Sequence, residues 1–199
     1  SASAVFVNLA TNINTGGDAA GDTLTSIELV IGSAFNDTLV GDAQSNIFFD
    51  GAGNDVVSTG GENDYVYGGE GADQYDGGAG ALDFLSYSLS TSGVTVNLTT
   101  NVNTGGFAQG DTVVNFERIY GSAYTDSITG DGQANTLYGF SGNTFPANIT
   151  APPGYPSIGT INPTYPNGCQ GFPGSIPAPE SLYGPNNQRC VFDPAAVAQ

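Results

Sequence analysis

The chain is predicted to be all-β, a stack of short strands with very little helix, and three observations carry that prediction. The first is a nine-residue beat: Gly32, Gly41, Asp50, Thr59, Gly68 and Gly77 open consecutive segments without a gap. The second is alternation. Between Gly/Asn/Asp clusters lie runs of about three residues rich in Val, Tyr, Phe, Ile and Leu, and no long window keeps a 3.6-residue apolar spacing. The third is a longer repeat: residues 1–49 align without a gap on residues 90–138, with about half the positions identical. Self-similarity on two scales is the mark of a stacked repeat array.

Taken in order, Val5, Val7 and Leu9 share one face of a short strand, and Val94, Val96 and Leu98 repeat it in the second copy. Asn14-Thr15-Gly16-Gly17 and Gly21-Asp22-Thr23 follow, and return as Asn103-Thr104-Gly105-Gly106 and Gly110-Asp111-Thr112. Asp22 and Asp111 sit between strands, where an Asp side chain can cap a turn or bind an ion, and the turn role is the one expected for them. Asp18 is replaced by Phe107, which leaves no shared role at that position. The uninterrupted nine-residue segments come next, and then the second copy begins. It is cut short: Gly139-Phe140-Ser141-Gly142-Asn143 is followed by Thr144 where an Asp is due. This divides the chain into a first module (1–89), a second, truncated module (90–144) and a Pro-rich segment (145–199). All eleven prolines lie between Pro146 and Pro194, so that last segment is expected to be irregular.

Composition narrows function. Of 199 residues nineteen are acidic and two are basic, Arg118 and Arg189, and His, Lys, Met and Trp are absent, giving a net charge of −17. Nucleic acid is excluded as an ordinary partner because almost nothing neutralises phosphate. An anionic membrane surface is a poor partner for the same reason, and no apolar run approaches a membrane span. Catalysis is not expected: without His no Ser-His-Asp triad forms, and without Lys there is no Schiff base. A chain so acidic repels itself until something positive binds it, and a divalent cation meets that need. Cys169 and Cys190, close together in an acidic Gly-rich chain, are read as one disulfide.

The clearest segment reads Gly68-Gly69-Glu70-Gly71-Ala72-Asp73-Gln74-Tyr75-Asp76, beside Asp50-Gly51-Ala52-Gly53-Asn54-Asp55-Val56-Val57-Ser58 and Thr59-Gly60-Gly61-Glu62-Asn63-Asp64-Tyr65-Val66-Tyr67. It resembles the G-G-x-G-x-D-x-U-x repeat of the RTX (hemolysin-type) family. The resemblance implies a right-handed parallel β-roll, a β-helix-like solenoid, with two nonapeptides per turn and Ca2+ between turns. Loops on one edge then recur every eighteen residues. Asp37, Asp55 and Asp73 fall in one column; Asn46, Asp64 and Asp83 fall in the other, Asp83 with a one-residue slip past Leu82. Calcium takes six to eight oxygens at about 2.3–2.6 Å, and turns about 4.8 Å apart let one ion touch two loops. Gly51, Gly53, Gly60, Gly69 and Gly71 are the positions that turn loop carbonyls inward. Val57, Val66 and Tyr75 point into the roll. The strongest sites are expected at Asp55–Asp73 and Asp37–Asp55, weaker ones at Asn46–Asp64 and Asp64–Asp83, and at most one weak ion at Asp126.

The family resemblance also implies a secreted, extracellular or cell-surface protein that folds where calcium is plentiful. The expected role is structural: a subunit that stacks head to tail into a filament or matrix, the 145–199 segment acting as cap or coupling element. The start at Ser1, without an initiator Met, points to a processed or excised product, and Ser1 stands at the same repeat position as Ser90, expected to stack behind Asp83–Tyr87. The alternative is a calcium-binding segment of a larger secreted adhesin or enzyme. A surface glycan is a further possible partner, through exposed Tyr and Asn of the Pro-rich segment. The sequons at Asn36, Asn97 and Asn148 arise readily in Asn- and Thr-rich sequence.

Overall fold

The structure, a computed structural model, describes residues 1–139. It contains thirteen strands of three residues each: β1 (Phe6–Asn8), β2 (Leu29–Ile31), β3 (Thr38–Val40), β4 (Ile47–Phe49), β5 (Val56–Ser58), β6 (Tyr65–Tyr67), β7 (Gln74–Asp76), β8 (Phe84–Ser86), β9 (Thr95–Asn97), β10 (Thr112–Val114), β11 (Arg118–Tyr120), β12 (Ser127–Thr129) and β13 (Thr136–Tyr138). The helical content of these residues is two short 3-10 turns, Gly17–Ala19 and Gly106–Ala108. Every strand pair is parallel. One sheet runs β1-β3-β5-β7-β10, the facing one β2-β4-β6-β8-β11-β13, and β9 pairs with β12. The fold is all-β, as the nine-residue beat predicts, and it is the parallel roll that the resemblance to the RTX family implies.

The strands are short because β-branched and aromatic residues come in threes, between loops whose Gly, Asn and Asp favour turns. With a period of two, only the middle residue of three faces inward. Leu39, Val57, Tyr75 and Val113 form the row from one sheet, Phe48, Val66, Leu85 and Ile119 the row from the other, and all are buried. Burying a side chain of this size stabilises the fold by about 1.5–3 kcal/mol before entropy is counted. The backbone satisfies itself turn to turn: Val56 N–H donates to Asp37 O at 2.9 Å and Gln74 N–H to Asp55 O at 2.8 Å. Outside the six-stranded sheet the rings of Phe49 and Tyr67 stack at 4.3 Å, as do those of Tyr120 and Tyr138. Their faces are turned to one another along the solenoid axis, and their edges point to solvent.

Pairing continues across the start of the second copy. After β8 the chain makes an excursion through β9 and the second 3-10 turn, then returns: β10 pairs with β7 and β11 with β8. The strands that dock are therefore 112–120, and not the segment that begins at Ser90. An antiparallel bridge from Thr95 to Thr104 explains this, because the 98–111 stretch folds back over β9 and puts itself between β9 and β10. The side chain of Asn103 holds the fold-back, accepting from Asn97 N–H at 2.8 Å and donating to Asp111 O at 3.0 Å. In the first copy Asn14 makes the same two bonds, at 3.1 and 3.0 Å. The Cys169–Cys190 pairing and the whole 145–199 segment lie outside the described residues.

Candidate metal centre

Almost every strand is preceded by an acid or amide, and the residues at this position stack into columns. On one edge Asp37 N–H donates to Asp55 Oδ1 at 2.7 Å, Asp55 N–H to Asp73 Oδ1 at 2.8 Å, and Asp73 N–H to Asp111 Oδ1 at 2.9 Å. On the other, Asn46 N–H donates to Asp64 Oδ1 at 2.7 Å, Asp64 N–H to Asp83 Oδ1 at 2.8 Å, and Asp83 N–H to Glu117 Oε2 at 2.9 Å. The two expected columns are thus in place, with Asp83 in line despite its one-residue slip. Asp111 and Glu117 extend them and were not foreseen as members. The signal that finds them is local: each immediately precedes a three-residue strand, as Asp55 and Asp64 do.

One carboxylate oxygen makes the column bond, and the fate of the other separates the loops. Asp55 Oδ2, Asp64 Oδ2 and Asp83 Oδ2 are buried and have no hydrogen-bond partner. Burying an anion in this way is costly without a counter-charge. None is at hand: the one cationic side chain among the described residues is Arg118, and the one ion pair joins the Ser1 amino group to Asp18 at 3.8 Å. Burial accordingly pushes the carboxyls of Asp55 and Asp83 up to about 6, against the opposing pull of their column hydrogen bonds. It raises Asp64 in the same direction. Buried carboxylates that repel one another and offer only oxygen donors suit a hard divalent ion.

Other loops are closed without an ion. Both oxygens of Asp37 are taken, Oδ2 by Ser33 N–H at 2.5 Å and Oδ1 by Ser33 Oγ at 2.8 Å and Val5 N–H at 2.7 Å. Asp126 repeats the arrangement with Ser122 and Val94. Asn46 turns an unpartnered Nδ2, a donor, into the interior. Asp73 Oδ2 accepts from Tyr75 Oη at 2.9 Å, and the same hydroxyl meets Asp50 Oδ2 at 2.5 Å. Asp50 stands where the repeat wants glycine and lies inside the roll, where burial pushes its carboxyl up to about 8. On these donors the Asp64–Asp83 edge, expected to be weaker from its motif, offers more free oxygen than Asp37–Asp55.

The glycines make the loops stackable. Gly51 has φ +105°, a conformation that favours glycine, and a Cβ there would collide with Ser33 O. At Gly71 a Cβ would strike Gly53 O and come within 2.6 Å of Asp73 Oδ1. Gly53, Gly60 and Gly69 are equally crowded by carbonyls of the turn below. Among the described residues no three acidic, His or Cys side chains converge on one point. A cation here would be held by one carboxylate from each loop together with these backbone carbonyls, and it would cancel the repulsion that stacked acids create.

A parallel roll with one carboxylate column on each edge and glycine-lined loops between turns defines a calcium-binding β-solenoid. Within that class, residues 31–66, 49–81 and 116–145 match the model of the RTX calcium-binding nonapeptide repeat, in 4 copies. This chain carries RTX repeats, and RTX nonapeptide repeats bind Ca2+. No curated protein matches the chain. Among the described residues no helix is long and apolar enough to cross a membrane.

Proposed function

We propose that this chain is a secreted structural protein whose calcium-loaded rolls stack head to tail into an extracellular or surface-bound filament or matrix. One observation carries the reading: the face that docks the second module occurs a second time, uncovered. At the junction Asp111, Val113, Phe116 and Ile119 are buried against the preceding turn. Their equivalents 89 residues earlier are Asp22, Leu24, Ile27 and Val30. Asp22 is exposed there, Leu24 half-buried and Ile27 38% exposed, while Val30 is buried in the core of its own roll and the flanking Leu29 and Ile31 are 49% and 69% exposed. Such a face fits the end of another β-roll, because its carboxylates and apolar rows already match one inside this chain. Stacking of unlike ends does not close on itself and gives a filament. RTX repeat proteins are typically secreted, and calcium sites of extracellular modules work at dissociation constants of about 10⁻⁴–10⁻³ M. These two facts together support secretion with folding outside the cell.

Sedimentation across a calcium titration, from chelator to millimolar, tests the proposal. Large regular species that chelator disperses, and that Ile27→Asp prevents, are the expected result. A compact monomer at saturating calcium refutes stacking by this chain alone. It favours the second reading that the same open face allows, a repeat segment docking on an upstream turn within a larger secreted adhesin or enzyme.

A further inference from the structure

We propose that the outer face of the six-stranded sheet is a docking strip for this chain's own Pro-rich segment, residues 145–199. The inference rests neither on calcium binding nor on stacking of copies.

The strip stands apart from the rest of the molecule in charge and chemistry. The chain carries nineteen acids, yet none falls on the outward positions of β2, β4, β6, β8, β11 and β13. Rings gather there instead. Phe49 stacks on Tyr67 at 4.3 Å and Tyr120 on Tyr138 at 4.3 Å. Phe84 joins the two outward rows, with Tyr65 at 4.8 Å on one side and Tyr120 at 4.2 Å on the other. The facing sheet has no such ladder, and its outward positions include Asn8, Ser58, Gln74 and Asp76. The core does not call for these outer rings, because the middle residue of each strand fills the inside. Arg118, the one cationic side chain among the described residues, also stands on the strip, between Phe84 and Thr136 in register. Its Nε is buried and has no hydrogen-bond partner.

Size and composition select the occupant. Six strands about 4.8 Å apart and three residues deep make a strip about 24 Å by 10 Å. A second copy would need about 800 Å² from each partner, roughly three times that footprint. A single extended segment fits: about eight residues of polyproline II, at about 3.1 Å each, run the length of the strip. Pro152-Pro153-Gly154-Tyr155-Pro156 and Asn162-Pro163-Thr164-Tyr165-Pro166 have the composition for it, and Pro-rich segments bind where aromatic side chains line the surface. Proline brings a carbonyl and no N–H, which suits a face whose polar groups are guanidinium and phenol donors. The segment holds two acids, Glu180 and Asp193, so it escapes most of the repulsion that the rest of the chain would meet. Connectivity favours the same occupant. The segment follows closely on β13, an edge strand of this sheet, and tethering offers it to the strip at about millimolar effective concentration.

Photo-oxidative dityrosine crosslinking of the full chain in calcium, read by product size and by mass mapping, tests the proposal. The expected product is monomer-sized and joins Tyr155 or Tyr165 to Tyr65, Tyr67, Tyr120 or Tyr138. Tyr124, 50% exposed and away from the strip, gives the background for chance encounters. Tyr65→Ser combined with Tyr138→Ser changes side chains that are 39% and 37% exposed, so the roll persists by circular dichroism while crosslinks at Tyr67 and Tyr120 fall severalfold. Pro153→Gly combined with Pro163→Gly, which leaves the roll untouched, should cause the same loss. Val114→Ser, on the facing sheet at 45% exposure, should leave the yield unchanged, as should Ile27→Asp if docking is separate from stacking. Crosslinks found only between copies would overturn docking within the chain. A strip that crosslinks no better than Tyr124, or a yield unmoved by both double variants, would overturn the docking strip itself.

Discussion

Replacing Tyr75 with Phe removes one oxygen from the inside of the roll, and with it the single O–H that one carboxylate accepts and the oxygen to which protonated Asp50 donates. The hydroxyl of Tyr75, 1% exposed, bonds Asp50 Oδ2 at 2.5 Å and Asp73 Oδ2 at 2.9 Å. The ring still fills its place, so packing is conserved and polar satisfaction alone changes. Leaving a buried acceptor without its partner costs about 1–3 kcal/mol. Asp50 is held largely protonated at pH 7 by burial, which softens its share. Allowing for that, a loss of about 1–3 kcal/mol without calcium is expected, or about 3–10 °C in Tm for a domain of this size. With calcium the loss should shrink, because the freed Asp73 Oδ2 joins Asp55 Oδ2 on the same edge as an available ligand. Thermal unfolding by circular dichroism in chelator and in calcium measures both. Tyr65→Phe is the control, since Tyr65 is 39% exposed. If Tyr75→Phe in chelator falls no further than the control, the phenol–carboxylate bridge does not stabilise the calcium-free roll and the reasoning fails.

Stability without calcium should fall as pH rises. Burial raises Asp50 to about 8, Asp111 to about 7 and Asp55 and Asp83 to about 6, so the folded chain keeps protons that the unfolded chain releases near pH 4. Their contribution is full below about pH 4 and is lost progressively up to about pH 8; a Tm in chelator that climbs over this range contradicts it. Calcium should raise Tm most at the alkaline end, where the carboxylates are ionised. Gly71→Ala should cost at least about 1–3 kcal/mol of overpacking and blunt the calcium response, whereas Gly132→Ala, with open space around it, should be neutral in the same denaturant titration. Phe48→Ala, fully buried, should cost about 3–5 kcal/mol. Phe49→Ala, on the outer face against Tyr67, should lose much less, near the 0.5–1.5 kcal/mol, roughly, of a ring pair; equal losses would mean that inner and outer faces are misassigned.

The sequence by itself determined what repeats locally. A nine-residue beat with three apolar-centred residues per segment dictates which side chain points inward, because direction alternates along a strand. Val57, Val66 and Tyr75 could therefore be placed in the core, and Asp55, Asp64 and Asp73 in columns, once the resemblance to the RTX family implied two nonapeptides per turn. Even the slip at Asp83 was legible, since the loop before it is one residue longer and the strand after it unchanged. Tertiary structure decided everything that crosses the excursion between the modules. Asp111 lies 38 positions from Asp73, and Glu117 lies 34 from Asp83. No period links them, because β9 folds aside and lets β10 and β11 continue the sheets. It also decided which carboxylates are left wanting an ion. Ser33, in the same loop, meets both oxygens of Asp37, and Val5, 32 positions away, completes the set, while nothing reaches the Oδ2 of Asp55. The physical reason is range. Side-chain direction is a property of three consecutive residues, whereas the partner of a buried oxygen is set by whatever the next turn carries to within 3 Å, roughly a hydrogen-bond length.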